Sequence, residues 1–111
     1  MDDWSIHRSR ELYGLRNWGD DFFDINEAGN VAVRPRRDAT SQIDMLELTR
    51  DLQRRGLRAP MLVRFSDVLA SRVGELAQAF DQAISEYDYA GRWHGVYPIK
   101  VNQQAHVVEE I

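Results

Sequence analysis

One residue in this 111-residue chain stands apart by type and by setting. Lys100 is the only lysine, and the other thirteen of the fourteen basic residues are arginine. It lies in Val96-Tyr97-Pro98-Ile99-Lys100-Val101-Asn102-Gln103, an apolar run that reads as a strand. Arginine stays protonated at any biological pH, whereas the amine of a desolvated lysine can lose its proton and attack a carbonyl carbon. A lysine among so many arginines therefore points to amine chemistry, the formation of a Schiff base. The competing reading is a solvent-facing charge at the end of an edge strand, which is what most lysines are.

The elements that would position this amine occupy the second half of the chain. Met61-Leu62-Val63-Arg64-Phe65 reads as a short strand, stopped by Ser66-Asp67, either of which can cap a helix. Leu69, Val73, Leu76, Phe80, Ile84 and Tyr87 then recur at intervals of three and four. This spacing predicts one long helix with its apolar stripe against a core and Arg72, Glu75, Gln78, Asp81 and Glu86 toward water. Asp88 to Arg92 breaks the helix, Trp93 to Asn102 reads as the next strand, and Gln104 to Ile111 as the beginning of another helix. Strand, helix, strand, helix is the order of an α/β unit with parallel strands. Strand alternation would put Tyr97, Ile99 and Val101 on one face and Pro98, Lys100 and Asn102 on the other. In a (β/α)8 barrel the chemistry collects at the C-terminal ends of strands, which is where Lys100 falls. Asn102 would be its neighbour or simply end the strand.

The first half supplies a different kind of element. Residues up to about Asn17 give no clean period and read as irregular, with at most one helical turn. Phe22 to Asn26 and Val31 to Arg34 are β-prone runs joined by Glu27-Ala28-Gly29-Asn30, the pattern of a hairpin, and Pro35 ends the second strand. A helix is expected from Ser41-Gln42-Ile43-Asp44, with Met45, Leu48 and Leu52 on its apolar side and Gly56 as its C-cap.

Composition narrows the function. A hydrophobic fraction of 43% with 29% charged residues is that of a soluble globular domain, and no stretch approaches the roughly 20 apolar residues of a membrane span. The acidic start Met1-Asp2-Asp3-Trp4 is unlike a secretory signal, so a cytoplasmic location is expected. The absence of cysteine removes disulfides and thiolate chemistry. A net charge of -4 argues against nucleic acid as a partner, and Arg34-Pro35-Arg36-Arg37 reads as a solvated loop. His7, His94 and His106 lack metal-ligand spacing, and Asp20-Asp21 and Glu109-Glu110 read as a turn and a helix face. A strand as apolar on both faces as Val96 to Val101 needs more covering layers than 111 residues supply. The expectation is an N-terminal part of a larger protein, or a chain that a partner completes.

The run Val96 to Gln104, continuing through His106-Val107-Val108-Glu109-Glu110-Ile111, resembles the cofactor-lysine segment of the biosynthetic arginine decarboxylases. These are a branch of the alanine-racemase-like, pyridoxal-phosphate-dependent decarboxylases. Tyr13-Gly14, Trp18-Gly19, Phe23-Asp24-Ile25-Asn26, Gly29-Asn30-Val31, Val33-Arg34-Pro35 and Leu62-Val63-Arg64-Phe65 extend the resemblance over nearly the whole chain. The wider superfamily usually has Tyr-Ala before its lysine and Ala-Asn after it; Tyr97-Pro98 and Val101-Asn102 depart from that pattern and fit the arginine branch. The resemblance implies an α/β fold in which the chain is the N-terminal part of a (β/α)8 barrel plus a β-domain (fold type III), incomplete here. Residues 1–65 would hold the hairpin, a helix and a β-domain strand, residues 66–92 the linking helix, and residues 93–111 the first barrel strand and the start of its helix. Lys100 would be both the catalytic and the cofactor-binding residue, holding pyridoxal 5'-phosphate as a Schiff base, with its pKa depressed by desolvation in the barrel mouth. L-arginine would be the substrate, agmatine and CO2 the products, and polyamine biosynthesis the route. Magnesium and a homo-oligomer are implied by the resemblance alone. Other readings are a racemase or an ornithine or diaminopimelate decarboxylase of the same superfamily, or a small α/β binding module without catalysis.

Overall fold

In the computed structural model, residues 3–111 are described, and they fall into two compact units, one running to Arg64 and one over Phe65–Ile111. The first unit is built around the expected hairpin. Strand β1 (Phe23–Ile25) pairs antiparallel with β2 (Val31–Val33), with Phe23 opposite Val33 and Ile25 opposite Val31. The turn between them is closed by Asn26, whose amide N–H donates to the Asn30 carbonyl at 2.9 Å and whose Oδ1 accepts from the Ala28 and Asn30 amides. Gly29 takes φ +80, a left-handed conformation that favours glycine, and a Cβ there would stand 3.1 Å from the Trp4 ring. Strand β3 (Ile43–Asp44) adds to the other edge of β2, giving a three-stranded antiparallel sheet in the order β1-β2-β3.

Helices cover this sheet. Helix α1 (Ile6–Leu12) lies where at most one helical turn was expected, and its start is set by Ser5, whose hydroxyl accepts from the Arg8 amide. Gly14, at φ +61, turns the chain into the short helix α2 (Leu15–Trp18). Helix α3 (Met45–Arg54) begins four residues later than Ser41, because Asp44 is the better cap: its carboxylate accepts from both the Leu46 and Glu47 amides. Ser41 instead ends a 3-10 turn, Ala39–Ser41, capped by Asp38. At the other end of α3, Leu57 N–H bonds the Leu52 carbonyl and Gly56 N–H bonds that of Gln53, with Gly56 at φ +91. This is the expected glycine stop in Schellman form. Helix α1 packs on β1, and α3 on β2 and β3. Leu15, Phe22, Ile25, Ala32 and Val33 are the buried centre.

The second unit holds the long helix α4 (Ser66–Glu86), within one residue of its expected span. Phe65 rather than Ser66 is its N-cap, and the Ser66 hydroxyl donates to Glu110 instead. Its stripe meets no core within the unit: no residue of α4 is buried, and Leu76, Phe80 and Tyr87 are 58%, 45% and 82% exposed. Trp93 stacks on Phe80 with ring centroids 4.9 Å apart. Two expected strands are absent. Residues 61–65 and 93–98 are in no helix or strand, and Ile99–Val101 is a 3-10 turn. The reason is physical: a strand exists only through ladder bonds to a neighbour, and among the described residues no segment pairs with either run. The parallel βαβ arrangement is accordingly not formed; the one sheet among the described residues is antiparallel and belongs to the first unit. Helix α5 (Ala105–Val108) follows, shorter than expected, with Val107 buried.

Candidate functional site around Lys100

The segment bearing Lys100 is organised by local bonds. Pro98, with φ -77, leads into the 3-10 turn, and the Val101 amide donates to the Pro98 carbonyl at 2.9 Å. Lys100 is the middle residue of this turn. The Tyr97 hydroxyl reaches across it to donate to the Asn102 carbonyl at 3.0 Å, and the Asn102 side-chain oxygen accepts from the Gln104 amide at 3.1 Å. The loop is therefore tied at both ends, with the lysine at its crown. A 3-10 turn repeats every three residues rather than every two, so the two-faced alternation expected of 97–102 is not realised.

Lys100 is exposed, and among the described residues its amine makes no ion pair or hydrogen bond. The enclosing barrel mouth expected around it is not formed by these residues. What the arrangement offers is a primary amine on a locally fixed base; condensation with an aldehyde also needs surroundings that favour the unprotonated amine, which these residues do not form. Asn102 acts here through its backbone and side chain as the closure of the turn. A phosphate cradle and an acid for a pyridine nitrogen are not identified in this segment.

The first unit carries the chain's more elaborate polar constellation, which sequence reasoning passed over. Asp24 lies between two arginines: Arg10 meets it with Nε at 2.5 Å and Nη2 at 2.9 Å, and Arg34 with Nη1 at 2.9 Å. Burial pushes the Asp24 carboxyl up, but the Arg10 hydrogen bonds, the Ile25 amide and the two guanidinium charges outweigh it and hold the group below the usual carboxylate range. Arg10 also donates to the Ile25 carbonyl at 3.0 Å, so the trio fastens α1 to the sheet. Arg34 is thus not the solvated loop residue expected. Arg37 differs likewise, lying over the Phe22 ring at 4.3 Å and bonding Asp20. The signal that could have exposed the trio is an acid within a β-prone run with arginines on either side in sequence.

His7 pairs with Glu11 at 3.1 Å on the surface of α1. Among the described residues no three of His, Asp and Glu converge as a metal site.

No protein-family model matches the chain. Individual relatives do. The chain is 54% identical over all 111 residues to the biosynthetic arginine decarboxylase of Gloeobacter violaceus, spanning 17% of that protein. It is 50% identical over 108 residues, 97% of its length, to the enzyme of the same name from Chromobacterium violaceum, again 17% of the relative. A third, from Thermosynechococcus vestitus, is 43% identical over 109 residues, 98% of the chain and 17% of the relative. Across its whole length, then, this chain is homologous to an N-terminal stretch of the biosynthetic arginine decarboxylases, a stretch amounting to 17% of each of those relatives.

Proposed function

We propose that this chain supplies the cofactor-lysine segment of a pyridoxal-phosphate-dependent arginine decarboxylase that converts L-arginine to agmatine and CO2 in a polyamine route. The observation that carries the reading is the identity of 43% to 54% along the whole chain to proteins of that name, in a sequence whose single lysine is Lys100. When bound, pyridoxal phosphate supplies an electron sink for the carbon that loses its carboxylate. The part of this chain is to hold the cofactor through the Lys100 amine and to fix the base of that side chain through the Tyr97 and Asn102 bonds. Recognition of the guanidinium, grip on the phosphate and the proton that replaces CO2 are assigned to residues outside these 111, and the chain alone turns over no arginine. A cytoplasmic homo-oligomer is the setting this reading favours; no described helix is long and apolar enough to cross a membrane.

Within these 111 residues a lysine-bound label can lie only on Lys100. Incubation of the full-length protein with pyridoxal phosphate, reduction with borohydride and peptide mapping should place the label on Lys100, and Lys100→Arg should remove it. A full-length protein that takes the label elsewhere and not on Lys100 would sink the cofactor-lysine reading and favour a non-catalytic binding module, for which the exposure of Lys100 is the supporting observation.

A further inference from the structure

The segment that carries Lys100 has a composition and a conformation that pull against each other. With β-branched Val96, Ile99 and Val101 about the lysine, its composition is that of a strand. Its conformation is a turn, which leaves those three side chains 87%, 54% and 72% exposed. An extended form between covering layers would take that apolar surface out of water. Two bonds within the segment hold the turn, from the Val101 amide to the Pro98 carbonyl at 2.9 Å and from the Tyr97 hydroxyl to the Asn102 carbonyl at 3.0 Å. Neither survives extension. In a strand Tyr97 and Asn102 would stand roughly 16–17 Å apart, beyond the reach of a tyrosine side chain, and alternation would turn Tyr97 to the face opposite Lys100. A strand's amides bond a neighbouring strand and not their own.

We infer that Tyr97 is a latch for Lys100: its hydroxyl holds residues 97–102 in the turn, with the amine in water, and lets go when a neighbouring strand of the whole protein draws the segment straight. The inference rests on the reading of Lys100 as the cofactor lysine. It gives the bonds that fix the base of Lys100 a place in time, before cofactor attachment. In the turn Lys100 is exposed. In an extended segment covered on both faces the amine is desolvated, which favours the uncharged form that attacks an aldehyde. Straightening and attachment are thereby coupled, and the phenol sets the balance between the two forms. Removing one neutral hydrogen bond shifts such a balance by a few-fold to about tenfold.

The experiment uses the full-length protein freed of cofactor. Pyridoxal phosphate is added, samples are reduced with borohydride at intervals, and the label on the peptide carrying Lys100 is followed by mass spectrometry. Tyr97→Phe deletes only the hydroxyl, and it should take the label a few-fold to about tenfold faster than the unaltered protein and reach the same final extent. Amide exchange of the cofactor-free protein separates a released latch from general loosening. Extension adds ladder bonds, so protection over residues 99–102 should rise in Tyr97→Phe, whereas loosening would lower it. Equal labelling rates, a slower variant, or protection that falls over 99–102 would overturn the latch, with the cofactor-lysine reading still standing on the label of the unaltered protein. An unaltered protein that takes no label on Lys100 would overturn both.

Discussion

Asp44 does the work of two anchors with one carboxylate. Oδ1 accepts from the Leu46 and Glu47 amides at 2.9 and 3.1 Å and so begins α3. Oδ2 accepts from Asn26 Nδ2 at 2.7 Å and Asn30 Nδ2 at 2.9 Å and so holds the hairpin turn. The Asn30 hydrogen bond, followed by the Glu47 amide and Asn26, lowers its pKa to about 2. The folded value lies below the ordinary 3.8, so the group stabilises the fold fully above that ordinary value. Its contribution drains away as pH falls from about 4 to about 2. Asp44→Ala should lower Tm at neutral pH by roughly 4–8 °C. Asp44→Asn should keep a helix cap through Oδ1, lose both turn anchors because an amide nitrogen in place of Oδ2 cannot accept from Asn26 or Asn30, and flatten the acid limb of the Tm-versus-pH curve. Asp24 is depressed as well, so part of the acid dependence should survive either change. A Tm profile that keeps its full slope between pH 4 and 2 in Asp44→Asn would show that this carboxylate is not the acid-sensitive anchor.

The two longer helices end by the same device with different residues. In α3 the left-handed position belongs to Gly56, and in α4 to Asp88 at φ +49, where the Tyr89 amide bonds the Ile84 carbonyl at 3.0 Å. A side chain in that conformation costs about 1 kcal/mol, which glycine avoids. Gly56→Ala should destabilise the first unit by about that amount, and Asp88→Gly should lengthen the life of the last turn of α4, both read by thermal unfolding and helical circular dichroism. The glycine stop, the hairpin and the body of α4 were legible in the sequence because each depends on residues close in the chain. The capping choices were less so: Ser5 went unnoticed without a periodic run behind it, and Asp44 displaced Ser41 because the ladder to β2 draws Ile43 and Asp44 into the sheet. The runs 61–65 and 93–102 looked like strands by composition, but a strand is a relation between two segments, and no sequence window contains the second one. Lys100 was legible as chemistry through its type and its resemblance to a family, whereas the turn that carries it depends on the Tyr97 and Asn102 bonds that composition does not announce.

Burial is distributed unevenly over the molecule. Leu15, Phe22, Ile25, Ala32 and Val33 are buried in the first unit, while the second has only Val107 among the described residues. Cooperative stability follows buried apolar contact, so the two units should open with different free energies. Amide exchange should be slowest in β1 and β2 and fast along α4, whose backbone bonds are intact but unsupported by packing. Protection that is high in α4 would mean that packing supports the helix within a single chain, contrary to the exposure of Leu76, Phe80 and Tyr87.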